Sequence, residues 1–277
     1  MKVRILYILL GVFIAAVIVS AIGLGYELSV NKEGQSYYAT LTDSINPRPR
    51  SPRDNRQAAP PSYLPLPETP DDTGDTGEEI AETPEPAPPQ WMPYVDFDAL
   101  GESLPGISAW IKLDNTVLDY PIMRWTNNNY FLQHLPDGTK HRNGSVFLDY
   151  RNTADFSDRD TLIYGHESRT GDMFGILKSY RNQAFYEENP VINIYTPDRD
   201  FELVLIAGYL VDSGVESPPL TFKDEAEFMA HIAAIKRRSF FRSDVEVDAD
   251  DRLVSLCTCA YDYTNARLVI VGKLAEF

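Results

Sequence analysis

For the chain after residue 90 the sequence predicts an all-β domain, a barrel or a sandwich of about eight strands with peripheral helices. The main observation is a series of eight short runs rich in β-branched and aromatic residues: WIKL, VLDYPIM, SVFLDY, DTLIYG, VINIYT, FELVLIAGYLV, DRLVSLCTC and ARLVIVGKL. Asn, Asp, Gly and Pro separate them, as expected for strands joined by turns. The second observation is that helical patterning is scarce. A short helix is expected around Val95 to Leu104, another in GDMFGILKSYRN, and a third in KDEAEFMAHIAAIKRRSF. In the third, Phe228, Ile232 and Ile235 recur at helical spacing, with acids in the first turn and bases in the last. It joins the strand ending near Val211 to the strand that carries both cysteines. No repeat of fixed period is visible, which sets aside solenoids and propellers.

Before this domain the chain changes character twice. Residues Ile5 to Tyr26 form 22 consecutive positions without a charge, and at about 1.5 Å per residue they span roughly 30 Å of hydrocarbon. The apolar core of a cleavable leader runs only about 7 to 15 residues, and no clear A-x-A site follows here, so a retained anchor is expected. Lys2 and Arg4 precede the run and Glu27 follows it. That asymmetry predicts a single-pass membrane protein with its N-terminus in the cytoplasm and the folded domain outside the cell. Segments such as NPRPRSPRDNR and TPEPAPPQ then mark a spacer, because proline disfavours helix before it and the acids from Glu68 to Glu85 repel one another. The expected organisation is a cytoplasmic tip and anchor over residues 1–30, a Pro-rich acidic linker over 31–90 and a folded domain over 91–277.

Charge and cysteine usage exclude several functions. A formal charge of −16 argues against nucleic acid, whose backbone requires clustered Lys and Arg. The only cysteines are Cys257 and Cys259, and a disulfide ring across one intervening residue is geometrically awkward in a strand. His134, His141, His166 and His231 show no metal-ligand spacing, so a metal site is not expected.

A cysteine nucleophile needs a thiolate, a proton-handling partner and a donor for the developing oxyanion. Cys259 ends an apolar run just before the polar loop AYDYTNA, where a reactive group is exposed on rigid backbone. Arg267 opens the next run and sits beside Cys259 if the two pair as a hairpin. His166 lies at the end of another strand, after Gly165, in TLIYGHESRTGDMF. Taken singly, each residue has a more ordinary reading as core packing, a satisfied polar group or a surface charge.

The combination S-L-C-T-C with A-R-L-V-I-V-G-K-L resembles the T-L-x-T-C...R signature of the sortases, membrane-anchored cysteine transpeptidases of Gram-positive bacteria, and is most similar to class B. The resemblance extends in order through WIKLDNTVLDYPIMRWTNNNYFLQH, NGSVFLDYRN and DTLIYGHESRTGDMFGILKSY, covering roughly Trp91 to Leu274. It implies a closed sortase-type barrel, with Cys259 as nucleophile, His166 as acid and base, and Arg267 holding the substrate carbonyl oxygen. It also places Asn128, Leu132 and Tyr164 in the peptide pocket, and Cys257, on the same strand face as Cys259, beside the groove. The implied partners are secreted proteins bearing a C-terminal sorting signal, cleaved after threonine, and an amine of a peptidoglycan cross-bridge or its lipid-linked precursor. Class B motifs often begin Asn-Pro. A pilin-polymerising sortase, which uses a pilin lysine, and a cysteine hydrolase are the alternatives. Departures from the family pattern are Ser255 in place of threonine, Glu167 after the histidine, and Ala260, which can supply no polar group after the nucleophile.

Overall fold

In the computed structural model, residues 2–45, 95–168, 171–260 and 262–276 are described. Each of the eight apolar runs contributes a strand: β1 (Ile107–Lys112), β2 (Asp119–Met123), β3 (Val146–Leu148), β4 (Asp160–Tyr164), β5 (Val191–Tyr195), β6 (Asp200–Asp212), β7 (Leu253–Cys259) and β8 (Ala266–Glu276). They close into a barrel in the order β1-β2-β3-β4-β7-β8-β6-β5, which settles barrel against sandwich. Closure leaves no sheet edge to pair with another chain. The barrel is mixed, since β2 pairs with β3 and β4 with β7 in parallel while the other neighbours are antiparallel.

Strand alternation assigns two faces. One apolar cluster draws on all the strands, with Ile111, Ile122, Leu148, Ile163, Ile194, Leu203, Leu256 and Ile270 among its members, and fills the barrel. A second cluster lies outside it. Leu162 of β4, Leu253 and Cys257 of β7, and Val269 and Val271 of β8 meet Phe228, Ile232 and Ile235 there. Those three residues form the buried stripe of the helix α4 (Glu225–Arg237), whose start is capped by the Asp224 side chain accepting from the Glu227 amide at 2.9 Å. The helix expected near residue 95 is α2 (Phe97–Ser103), capped by Asp96. GDMFGILKSYRN forms a 3₁₀ helix, Phe174–Arg181, that runs into α3 (Gln183–Glu188). Gly175 is required at its start, because a Cβ there would stand 2.5 Å from the Ser168 carbonyl oxygen.

The N-terminal boundary differs from expectation. Helix α1 (Lys2–Ser44) does not stop near residue 30. Its first part carries exposed apolar side chains from Leu10 to Tyr26, and its last turns pack on the barrel, with Tyr38 and Ile45 buried. The linker expected from residue 31 therefore begins no earlier than residue 46. The reason is visible in the sequence: Tyr37, Tyr38 and Leu41 supply an apolar stripe that packs against the domain, and the prolines begin only at Pro47. The expected linker over 46–90, and the expected domain start at residue 91, lie outside the described residues.

Candidate active site

Parity brings two of the expected site residues, Cys259 and Arg267, to one face. Cys257, Val269 and Leu162 face outward, so Cys259 and Arg267 face outward as well, and a continued β4 would aim residue 166 the same way. Register then sets their height. Cys259 is the Cα partner of Arg267 across β7 and β8, and Tyr164 is that of Cys257 across β4 and β7. The parallel pairing continues one step beyond β4, where the Gly165 amide donates to the Cys257 carbonyl oxygen at 3.1 Å. His166 thus follows directly where β4 runs beside the end of β7.

Environment separates the two cysteines. Cys259 is exposed and Cys257 buried, and both are free thiols. Burial pushes the Cys257 thiol up to about 12, although the nearby Arg267 charge acts the other way. Cys257 belongs to the outer apolar cluster that also holds Phe228, Ile232 and Ile235 of α4, with the partly buried Leu220 and Phe222 packed against that cluster. His166 is held below the usual imidazole range by burial first, then by the positive charges of Arg142 and His141. Glu167, the next residue, has its carboxylate 3.7 Å from Lys178 Nζ. Arg267 Nη1 donates to the Ala266 carbonyl oxygen at 3.1 Å.

Cys259 shares a cavity of about 350 Å³ with Glu167, Lys178, Arg181, Ala260 and Asp262. Asp262 accepts two hydrogen bonds from Arg181, at 2.8 and 2.6 Å, so the loop after the nucleophile is tied to the 3₁₀ helix. Ser255 keeps the hydroxyl of the usual threonine and donates it to the buried Asp160 carboxyl at 3.0 Å.

Of the expected pocket residues, Asn128 and Tyr164 come together and Leu132 does not join them. Asn128 Nδ2 and the Tyr164 hydroxyl both donate to Asp149 Oδ2, at 2.9 and 3.2 Å, while Asn128 Oδ1 accepts from the Tyr150 amide at 2.9 Å. Leu132 is exposed in the segment between β2 and β3. The centre of the network, Asp149, was missed by sequence reasoning. Burial pushes its carboxyl up, but hydrogen bonds from Arg151 and Asn128 outweigh this and hold it below the usual range. The available signal was an acid ending a buried strand with Arg151 two positions later. Among the described residues there is no group of three or more His, Cys, Asp or Glu able to hold a metal ion.

A sequence relative decides the family. Sortase B of Listeria monocytogenes is 33% identical over 181 residues, an alignment covering 65% of this chain and 72% of that protein. The chain belongs to the class B sortases. Sortase B of Staphylococcus aureus is 31% identical, over 65% of this chain and 75% of that one. Among solved structures, a Staphylococcus aureus sortase B–substrate complex superposes with a TM-score of 0.62 at 30% identity, covering 65% of this chain and 84% of that chain. Bacillus anthracis sortase B in complex with AAEK1 gives 0.61 at 30% identity, covering 67% and 86%. No family model matches the chain. As a class B sortase the protein is a cysteine transpeptidase, and its closed mixed barrel is that of the solved sortase B structures.

Proposed function

We propose that this sortase cleaves a C-terminal sorting signal of secreted proteins after threonine and passes the acyl group to an amine of peptidoglycan or its lipid-linked precursor. The observation that carries the reading is the register that sets Cys259 opposite Arg267, with β4 leading into His166 beside the end of β7. The Cys259 thiolate attacks the threonyl carbonyl, and Arg267 donates to the oxyanion. As the C–N bond breaks, protonated His166 gives its proton to the departing amine, leaving a thioester. The acceptor amine then attacks the thioester. Its proton passes to His166, and Cys259 leaves as thiolate. Asn128 and Tyr164, held on Asp149, would line the peptide pocket together with Leu132. That a sortase B has been solved with substrate, and another complexed with triglycine, a peptide with a free amine, supports both halves of the reaction.

In the same proposal α1 anchors the enzyme as a single-pass protein, N-terminus inside, with the barrel at the outer surface and residues 46–90 as a polar segment between α1 and the domain. This helix is long and apolar enough to cross a membrane. It would hold the site where secreted substrates and lipid-linked amines meet, raising their effective concentration.

The test is incubation with a peptide library, followed by mass spectrometry of the Cys259 adduct and of the products with and without an amine acceptor. The expected result is a thioester that names the sorting motif and turns over faster with amine, and its complete loss in Cys259→Ala. Undiminished cleavage by Cys259→Ala would sink the assignment, and release of free acid regardless of amine would make the enzyme a hydrolase.

A further inference from the structure

The His166 segment rests on a chain of contacts that ends on α1, a helix with no assigned part in catalysis. Directly after β4, His166 and Glu167 fold against Met173 and Phe174. The Phe174 amide donates to the His166 carbonyl oxygen at 3.1 Å, and Glu167 pairs with Met173 in an antiparallel bridge. The Phe174 ring lies so close to Gly165 that a Cβ there would approach it to 2.4 Å. Met173 pays for this packing in backbone strain, since its φ of +51° is in a region that side-chain-bearing residues seldom adopt. Such a conformation persists only where surrounding contacts impose it.

The imposed contact is a hydrogen bond from the Met173 amide to the Tyr120 hydroxyl of β2, at 3.0 Å and buried. The Tyr120 ring is in turn roofed by Tyr38 of α1, edge to face with centroids 4.9 Å apart. Tyr38 is fixed independently, its hydroxyl donating to the Gly144 carbonyl oxygen at 3.0 Å. Gln35, one turn earlier, donates to the Asp172 carboxylate at 2.6 Å. Gln35 of α1 thus meets the segment that holds His166 directly, and Tyr38 reaches it through Tyr120.

We infer that Tyr120, roofed by Tyr38 of α1, is a positioning residue for His166, so that docking of the membrane-proximal helix helps assemble the active site. The inference rests on the proposed role of His166 as the proton-handling group. Tyr120→Phe removes one acceptor and leaves the ring, which makes it the informative variant. Tyr38→Ala removes the roof, and Tyr38→Phe restores the ring.

The experiment uses the full chain in detergent micelles, with a fluorogenic peptide that begins Asn-Pro and is cut after threonine. Tyr120→Phe and Tyr38→Ala are expected to lower kcat by about tenfold and to shift the pH profile of kcat, with KM within about twofold of the wild-type value. Tyr38→Phe is expected to return to near wild type. A merely structural role would lower Tm and the titratable active-site fraction without moving the pH profile of the remaining enzyme. That pattern, or a wild-type kcat and profile in Tyr120→Phe, overturns the inference. His166→Ala separates the two readings. If it is inactive while Tyr120→Phe is unaffected, only the positioning role falls; if it keeps full turnover, the role of His166 falls first.

Discussion

Cys257 and Cys259 stand two residues apart on the same strand and the same face, yet one is buried with its thiol pushed up to about 12 and the other is exposed. Residue type and strand parity are identical. The difference lies in what surrounds them: Cys257 belongs to the outer apolar cluster with Phe228, Ile232 and Ile235 of α4, whereas Cys259 lies outside that cluster and lines the cavity shared with Arg181 and Asp262. Exposure in this strand therefore changes within two residues: Leu253 to Thr258 are buried as core, and the end at Cys259 is open.

The sharpest way to break that comparison is chemical. Under native conditions iodoacetamide is expected to label Cys259 and to spare Cys257 until the protein is unfolded, as peptide mapping by mass spectrometry would show. Cys257→Ala should keep turnover within a few-fold of wild type and cost roughly 1–2 kcal/mol of stability, the usual scale for emptying a small buried site. Equal labelling of the two thiols would refute the division of the strand. Asp149→Ala should cost more stability than Cys257→Ala. It removes the acceptor on which Asn128, Arg151 and Tyr164 converge and should lose about 2–3 kcal/mol in denaturant unfolding, given the usual worth of hydrogen bonds to a charged group. A higher KM for peptide should accompany the loss.

The buried stretch also predicts a pH dependence. Asp160, buried and accepting from Ser255, has its carboxyl raised to about 7, first by burial. In the unfolded chain it ionises near 4, so between about pH 4 and 7 the folded state holds the proton that the unfolded state has lost, and stability falls as pH rises. Asp160→Asn should abolish that fall, its Tm advantage over wild type growing through this window and then levelling off. A constant difference at all pH values would show that the site is not closed. The smallest effect belongs to the protein surface. Arg238 stacks 4.1 Å from the Tyr209 ring centroid and pairs with Glu216 at the surface, so Glu216→Ala should change Tm by the equivalent of less than about 1 kcal/mol.

Much of this organisation was legible in the linear pattern. All eight strands, α4 with its Phe228, Ile232 and Ile235 stripe, and the outward parity shared by Cys259 and Arg267 follow from alternation and helical spacing. Three features did not follow. The burial of Cys257 was hidden because parity names a face without saying what lies over it. The reach of α1 to Ser44 was hidden behind an anchor length set by bilayer thickness, since a helix can continue wherever its next turns find a surface. The Asp149 network joins residues from three separate segments and has no local signature.

By itself, then, the sequence determined the strands, the apolar N-terminal run and, through the joint occurrence of Y-G-H with the cysteine and arginine motifs, the family resemblance, because each is written in residue spacing along the chain. Only the tertiary structure decided that the sheet closes, that Cys257 is core while Cys259 is open, and that Tyr38 of α1 packs on Tyr120, which holds the Met173 amide. The physical reason is common to all three. Burial and register depend on which segments meet, and residues as far apart as Tyr38, Tyr120 and Met173 meet only once the barrel has closed.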